Sequence, residues 1–153
     1  MKQAAIDILD SHRIMAVSTV RPDGWPQTTF VGYANEGFDI FFMIFRSSQK
    51  FANIARDDRI SIAVGEEPES LSELRAVYAA AHASEVTDPK QRDHAWAVLK
   101  IRHPNLTGFD MPGPSESAIM RAACQHVSVL DYTQGFGDRA ELRLASEPEP
   151  LAG

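Results

Sequence analysis

Five consecutive residues, 46–50 (Arg-Ser-Ser-Gln-Lys), combine the side-chain types that suit the binding of an anion. Ser47 or Ser48 can cap a helix that begins here and buries Phe51 and Ile54. Cations in the first turn of a helix oppose its macrodipole, at a cost of about 0.3–1 kcal/mol. A bound phosphate would remove this conflict, because free N–H groups, hydroxyls and cations all suit its oxygens. The alternative is a solvated helix start whose charges are incidental.

Two apolar stretches flank this segment and predict the strands that position it. Residues 38–45 are too few to span a membrane and form a strand that is apolar on both faces, so both faces must be covered. Residues 60–64 alternate between large apolar and small side chains, which is typical of a half-buried strand. The predicted helix therefore joins two strands of one sheet.

Length and composition limit the class of protein. With 153 residues, 44% of them hydrophobic, the chain predicts one globular domain over residues 1–145 and a disordered acidic tail over 146–153. The net charge of −6 and scattered basic residues argue against nucleic acid as a partner. The chain has neither a long apolar stretch nor a signal-peptide pattern, and its single cysteine excludes an internal disulfide. We therefore expect a cytoplasmic protein that does not bind a membrane.

The rest of the chain predicts mostly strands. The turn at residues 21–24 joins strands at 14–20 and 25–34, and a meander continues into 38–45. Residues 3–11 and 89–103 are predicted helices, the second capped by Asp88. Residues 122–132 and 139–144 are predicted strands. Residues 74–86 are ambiguous: their alanines favour a helix slightly, whereas their place after four sheet-like elements suits a long strand.

Other chemistry finds little support in the sequence. Neither a phosphate-binding loop nor a dinucleotide glycine fingerprint is present. The five histidines are scattered and only one cysteine accompanies them, so no metal site is predicted. Cys124 fits a small buried residue better than a reactive thiol. No side chain stands out as a catalytic acid, base or nucleophile, so the catalytic residues are left unassigned.

Three short motifs, in this order, resemble the pyridoxamine 5'-phosphate oxidase-like family of FMN-binding split β-barrels. They are Asp23-Gly24 with Pro26, Ser48-Gln49-Lys50 with Asn53-Ile54, and Asp58-Arg59-Ile60-Ser61; residues 130–137 also resemble the end of the smaller members. The resemblance covers roughly residues 5–144 and implies a mainly β fold, an antiparallel Greek-key barrel with peripheral helices. It also implies that residues 74–86 form a strand. Finally, it implies a homodimer with FMN at the subunit interface and a small-molecule substrate or electron donor.

The resemblance also implies a cofactor site. Ser48 and Lys50 would hold the FMN phosphate, with Gln49 beside them. The residues expected beside the flavin ring are Thr28, Thr29, Phe30 and Val31 on the second strand and Met43 and Ile44 on the third.

Two positions depart from the oxidases that give the family its name. Thr28 replaces a phosphate-binding arginine and Ala76 replaces a flavin-binding glutamine, so we expect flavin binding rather than oxidation of pyridoxamine phosphate. The alternatives are a deazaflavin or haem in place of FMN, or a flavin-binding dimer without enzymatic activity.

Overall fold

The computed structural model describes residues 1–105 and 113–144. The helices are α1 (Lys2–Asp10), α2 (Gln49–Arg56) and α3 (Pro89–Arg102), and a 3-10 turn spans Leu71–Glu73. The strands are β1 (Ile14–Val20), β2 (Pro26–Glu36), β3 (Asp39–Phe45), β4 (Arg59–Gly65), β5 (Arg75–Glu85), β6 (Ser117–Asp131) and β7 (Arg139–Arg143). The tail predicted at residues 146–153 lies outside the described residues. No helix in the described part of the chain is long and apolar enough to cross a membrane.

The strands form one antiparallel sheet that closes on itself. Its order is β3-β2-β1-β4-β5-β6-β7, and an additional pairing of β3 with β6 closes a barrel of six strands. The first three strands form a meander, and β4 returns to pair with β1, which is the Greek-key arrangement. The predicted mainly β barrel with peripheral helices is therefore confirmed.

Alternating side chains divide each strand between the barrel interior and its outer surface. On β3, the side chains of Ile40, Phe42 and Ile44 are buried in the main core. Phe41, on the opposite face, packs beneath α3 in a second apolar cluster. Phe45, at the end of the same strand, remains 53% exposed. Both faces of this strand are therefore covered in its middle, as predicted, while its end is open in the single chain.

The pairing of β2 with β3 stops halfway along both strands. The ladder runs from Glu36 opposite Asp39 to Tyr33 opposite Phe42. Beyond it, the first half of β2 is paired with β1, and the second half of β3 with β6, with which β3 pairs along its whole length. Helix α2 packs against β1 and β3 at this opening and buries Ile54 in the main core. The barrel is thus split, and α2 lies at the split.

Residues 74–86 show where local propensity gives the wrong answer. They form β5, which pairs with β4 along one edge and with β6 along the other. The alanines favour a helix by about 0.3–0.7 kcal/mol each over typical strand-forming residues, but hydrogen-bonded ladders on both edges and burial of alternate side chains outweigh that preference. The slight preference for a helix is therefore wrong, and the strand implied by the family resemblance is right.

A buried polar cluster fastens α1 and α3 to β2. The Arg102 guanidinium donates to the carbonyl oxygens of Leu9 at 3.1 Å and His12 at 2.9 Å, and to Asn35 Oδ1 at 3.0 Å. The Tyr33 hydroxyl also donates to the Leu9 carbonyl, at 2.6 Å, and burial raises the pKa of Tyr33. Together these bonds satisfy carbonyl groups at the end of α1 that the helix itself leaves free.

We expect Tyr33→Phe to lower the free energy of unfolding by about 0.5–1.5 kcal/mol, the net value of one hydrogen bond. The loss is modest because the Leu9 carbonyl keeps its bond from Arg102. Urea unfolding followed by circular dichroism measures it. Tyr132→Phe, in the turn before β7, is the control and should leave stability unchanged. Equal effects of the two substitutions would contradict this account of the cluster.

Candidate functional site

The start of α2 is ordered by the Ser48 side chain. Ser48 Oγ accepts a hydrogen bond from the Phe51 N–H at 3.2 Å and donates one to the Phe45 carbonyl at 2.7 Å. Of the two serines predicted as caps, Ser48 is therefore the cap, while Ser47 is exposed. The N–H groups of Gln49 and Lys50 lie in the first turn, where no carbonyl within the helix can accept from them.

The two cations of this segment have different environments. Arg46 donates to both carboxylate oxygens of Glu85, at 2.5 and 3.1 Å, and to the Pro114 carbonyl at 2.7 Å. The hydrogen bond to Glu85 raises the pKa of Arg46. Lys50 is half-buried and makes neither a hydrogen bond nor an ion pair with any residue in the described part of the chain. Lys50 is therefore the cation that remains available to a ligand.

Helix α3 provides a comparison within the same molecule. It too has a lysine, Lys90, at its second position, but its cap is Asp88, whose carboxylate accepts from the Gln91 N–H at 3.1 Å. The α3 start thus carries its own negative charge. The α2 start has a neutral serine cap and no acidic residue in its first turn. Its positive end is uncompensated, so its free N–H groups and the Lys50 ammonium group fit a phosphate.

The residues predicted beside the flavin ring divide between the two faces of their strands. Thr28 and Phe30 are exposed on the outer surface, and Phe30 is 80% exposed. Thr29 and Val31 alternate with them and lie on the inner face, where they pair with Val17 and Met15. Met43 is half-buried on the outer face of β3, opposite Ile119 on β6. Ile44 is buried in the core, so it can reach a cofactor only through its main chain.

A buried asparagine joins α2 to the β1–β2 hairpin. Asn53 Nδ2 donates to Thr19 Oγ1 at 3.0 Å and to Gln27 Oε1 at 3.2 Å. Its Oδ1 accepts from Gln49 Nε2 at 2.9 Å, so the Gln49 amide is directed along the helix. The sequence alone predicted no role for Asn53 in the site. The available signal was an asparagine beside Ile54 on the inward stripe of α2, where a polar residue needs buried partners.

A shallow groove runs over the outer surface of β1, β4, β5 and β6. Its floor consists of small side chains, and its volume is about 350 Å³. Thr28 lies in its lining, and its Oγ1 is 2.7 Å from Ser18 Oγ. A neighbouring groove of about 410 Å³ shares Ser18 and Ser61 with it and extends to His82, whose Nδ1 is 2.8 Å from Asp58 Oδ1. Such a flat floor suits a planar ring or the surface of another subunit.

Two titratable groups near these elements have shifted pKa values. Burial raises the pKa of the Cys124 thiol to about 12, so the thiol stays protonated, and the prediction of a small buried residue is confirmed. Hydrogen bonds from Arg59 lower the pKa of Asp57, after the end of α2, to about 2. Within residues 1–105 and 113–144, no three side chains form a cluster that could bind a metal ion.

The closed antiparallel barrel with a helix at its split defines a split β-barrel protein. The family model described as pyridoxamine 5'-phosphate oxidase matches residues 1–131. The chain therefore belongs to the pyridoxamine 5'-phosphate oxidase family, as its motifs suggested. A comparison with curated protein sequences gives no match.

Solved structures with the same fold have several different descriptions. A haem-binding protein from Mycobacterium smegmatis is 19% identical, with a TM-score of 0.79 over 93% of this chain. The alignment spans only 57% of that protein's length. A conserved hypothetical protein from Mycobacterium tuberculosis is 23% identical, with a TM-score of 0.75 over 99% of this chain and 95% of its own. An FAD-binding protein from Mesorhizobium loti is 20% identical, with a TM-score of 0.67 over 83% of this chain and 91% of its own.

We expect Ser48→Ala to destabilise the protein by about 1 kcal/mol, because the cap on the Phe51 N–H and the bond to the Phe45 carbonyl are both lost. Thermal or urea unfolding without any ligand measures this change. Ser47→Ala, one residue earlier, removes an exposed hydroxyl and should change stability by less than about 0.5 kcal/mol. A larger loss for Ser47→Ala than for Ser48→Ala would show that the cap is misassigned.

Proposed function

We propose that this protein is an FMN-dependent oxidoreductase that works as a homodimer. The observation that carries this proposal is the start of α2, where Lys50 is unpaired among the described residues and the cap is neutral. In this account Lys50 and the first N–H groups of the helix hold the flavin phosphate, and Ser48 joins them by turning its O–H from the Phe45 carbonyl to a phosphate oxygen. Family membership and the FAD-binding protein of the same fold support a flavin as the ligand.

The protein's part in such a reaction is to bind and orient. The flavin itself carries electrons or hydride between a small-molecule substrate or donor and an acceptor. The exposed Thr28 and Phe30 on β2 and the half-buried Met43 on β3 lie on the outer surface at the split, where they can border a planar ring. Gln49, Thr29, Val31 and Ile44 have side chains engaged or turned inward, so we propose main-chain contacts for them.

The proposal of a homodimer rests on the side of the barrel that no helix covers. Helix α3 covers Phe41 and Ile119 on one side. On the other side, outward-facing residues of β1, β2, β4 and β5 remain at the surface, including Phe30 and Tyr78, which are 80% and 43% exposed. Large apolar side chains around a floor of small ones form a surface suited to another subunit. A second copy of the chain on this face would also enclose a flavin bound at the split.

The purified protein should bind FMN, and Lys50→Gln should weaken that binding by about tenfold or more. The reason is the loss of a charge-assisted hydrogen bond, worth about 1.5–3 kcal/mol. Titration of the apoprotein with FMN, followed by the quenching of flavin fluorescence, measures the affinity.

The matched control is Lys90→Gln, which removes a lysine from the same position of a helix whose cap is acidic. It should leave FMN affinity unchanged. Equal affinities of the Lys50→Gln variant and the unsubstituted protein would reject the phosphate site. A protein that takes up no flavin would reject the proposed function as a whole.

Haem is the second candidate, because the haem-binding protein from Mycobacterium smegmatis shares the fold over 93% of this chain. His82 and His126, both lining the outer grooves, are the side chains that could ligate its iron. The absorption spectrum after reconstitution separates the two ligands, since haem gives a Soret band and FMN gives the two bands of an oxidised flavin. A Soret band that is lost in His82→Ala or His126→Ala would favour haem over FMN.

The oligomeric state tests the proposed interface. Light scattering coupled to size-exclusion chromatography should give twice the mass of the 16.9 kDa chain, and Phe30→Asp should shift it toward the monomer. Burying an uncompensated carboxylate in an apolar contact is strongly unfavourable. Ile101→Asp is the control, because Ile101 on α3 is also apolar and is 83% exposed. A monomeric unsubstituted protein, or a Phe30→Asp variant that stays dimeric, would contradict this interface.

A further inference from the structure

We propose that Asn53 is a positioning residue that holds the start of α2 in the orientation needed to bind a phosphate. By this means it sets the preference of the protein for a phosphorylated flavin over an unphosphorylated one. The inference rests on the proposed function, since it concerns the same phosphate site. It adds a residue that touches neither the phosphate nor the ring.

The first observation is that Asn53 is completely buried and fully bonded. Its exposed fraction is 0%, and its side chain bonds to Thr19 on β1, Gln27 on β2 and Gln49 on α2. Both side-chain N–H groups donate and the carbonyl oxygen accepts. Thr19, Gln27 and Gln49 lie 34, 26 and 4 residues before Asn53 in the chain. One side chain therefore joins three elements at the split.

The second observation concerns what else holds α2 in place. The helix has only eight residues. Its other contacts with the barrel are the packing of Phe51 and Ile54 and one hydrogen bond at its last residue, from Arg56 Nη2 to the Val20 carbonyl at 2.7 Å. Apolar packing is not directional, so it resists the removal of the helix more than its rotation. The Arg56 bond holds the last residue of the helix, whereas the two hydrogen bonds from Asn53 to two neighbouring strands fix the rotation of its first turns about the helix axis. They act one turn beyond Lys50, on the same side of the helix.

Small rotations matter at a phosphate site. With Cα atoms about 2.3 Å from the axis, a rotation of about 20° moves each Cα by about 0.8 Å, and moves a lysine ammonium group further. Hydrogen bonds tolerate only a few tenths of an ångström around 2.9 Å, so a shift of that size breaks the set of contacts to one phosphate. Loss of the Asn53 bonds should therefore weaken phosphate binding even in protein that remains folded.

Another buried asparagine makes a matched control. Asn35 donates to Asp10 Oδ1 at 2.7 Å and to the Gly37 carbonyl at 3.1 Å, and accepts from Arg102. It is as well bonded as Asn53 but lies in the cluster that fastens α1 and α3. Both asparagines should contribute to stability. Only Asn53 should affect the choice between flavins.

The experiment compares the dissociation constants of FMN and riboflavin, which differ only in the phosphate. It is run on the full chain and on Asn53→Ala, Thr19→Val and Asn35→Ala. Thr19→Val keeps Asn53 and nearly the same volume while it removes one acceptor, so it serves if Asn53→Ala does not fold. Riboflavin affinity reports on the ring site of each variant.

We expect Asn53→Ala to lower the preference for FMN over riboflavin by about tenfold, and Thr19→Val by a smaller factor in the same direction. Asn35→Ala should leave the ratio unchanged even where its melting temperature falls. In the Lys50→Gln background, Asn53→Ala should have little further effect on the ratio, because the two residues act on one contact.

Three results would overturn the inference. One is an FMN-to-riboflavin affinity ratio that stays unchanged in both Asn53→Ala and Thr19→Val. Another is an equal loss of FMN preference in Asn35→Ala, which would indicate a general loosening of the fold. A third is that the effects of Asn53→Ala and Lys50→Gln on this preference add in full. An unsubstituted protein that binds FMN no better than riboflavin would instead reject the phosphate site itself, and with it the basis of the proposed function.

Discussion

The barrel closes because β3 pairs with β6 along its whole length, while its pairing with β2 on the other edge stops halfway. From that point the second half of β3 and the first half of β2 no longer pair with each other, although each still pairs with a strand on its other edge. The opening this creates would expose the interior between Val31 and Ile44. Helix α2 covers it, and its inward residues complete the main core there. The location of the helix start on the rim of the barrel is thus a consequence of how the sheet closes.

The closure of the barrel also gives Arg46 and Lys50, the two cations at the rim, different environments. Arg46 follows the last residue of β3 and bonds across to Glu85 at the end of β5 and to the Pro114 carbonyl just before β6. It therefore fastens three chain segments at one end of the barrel, and its charge is balanced. Lys50, four residues later, has no such neighbour in the described structure. Arg46 has a structural role and a balanced charge, whereas Lys50 has no partner among the described residues. An acidic protein can in this way keep an uncompensated positive charge at the start of α2.

The sequence predicted well whatever depends on neighbours in the chain. The turn at residues 21–24, the strand Ile14–Val20, and the caps Ser48 and Asp88 all rest on local chemistry, and the structure contains them. It predicted poorly what depends on distant partners. The alanine-rich β5 is a strand because β4 and β6 lie on either side, and Arg46 is neutralised by a residue 39 positions away. The role proposed for Asn53 depends on Thr19 and Gln27 in the same way.

In the proposed function, the uncovered side of the barrel is where cofactor binding and dimer assembly meet. A solvated sheet face usually carries long polar side chains, whereas this one presents small residues such as Ser61 and Ala80 with Phe30 and Tyr78 around them. Under the proposed function, the flavin ring and the second subunit both use this face. A ligand that contacts two subunits binds the dimer better than the monomer, so FMN must strengthen dimerisation by the same factor by which dimerisation strengthens FMN binding. The neutral cap of α2 and the small residues of the outer face then serve one assembled site.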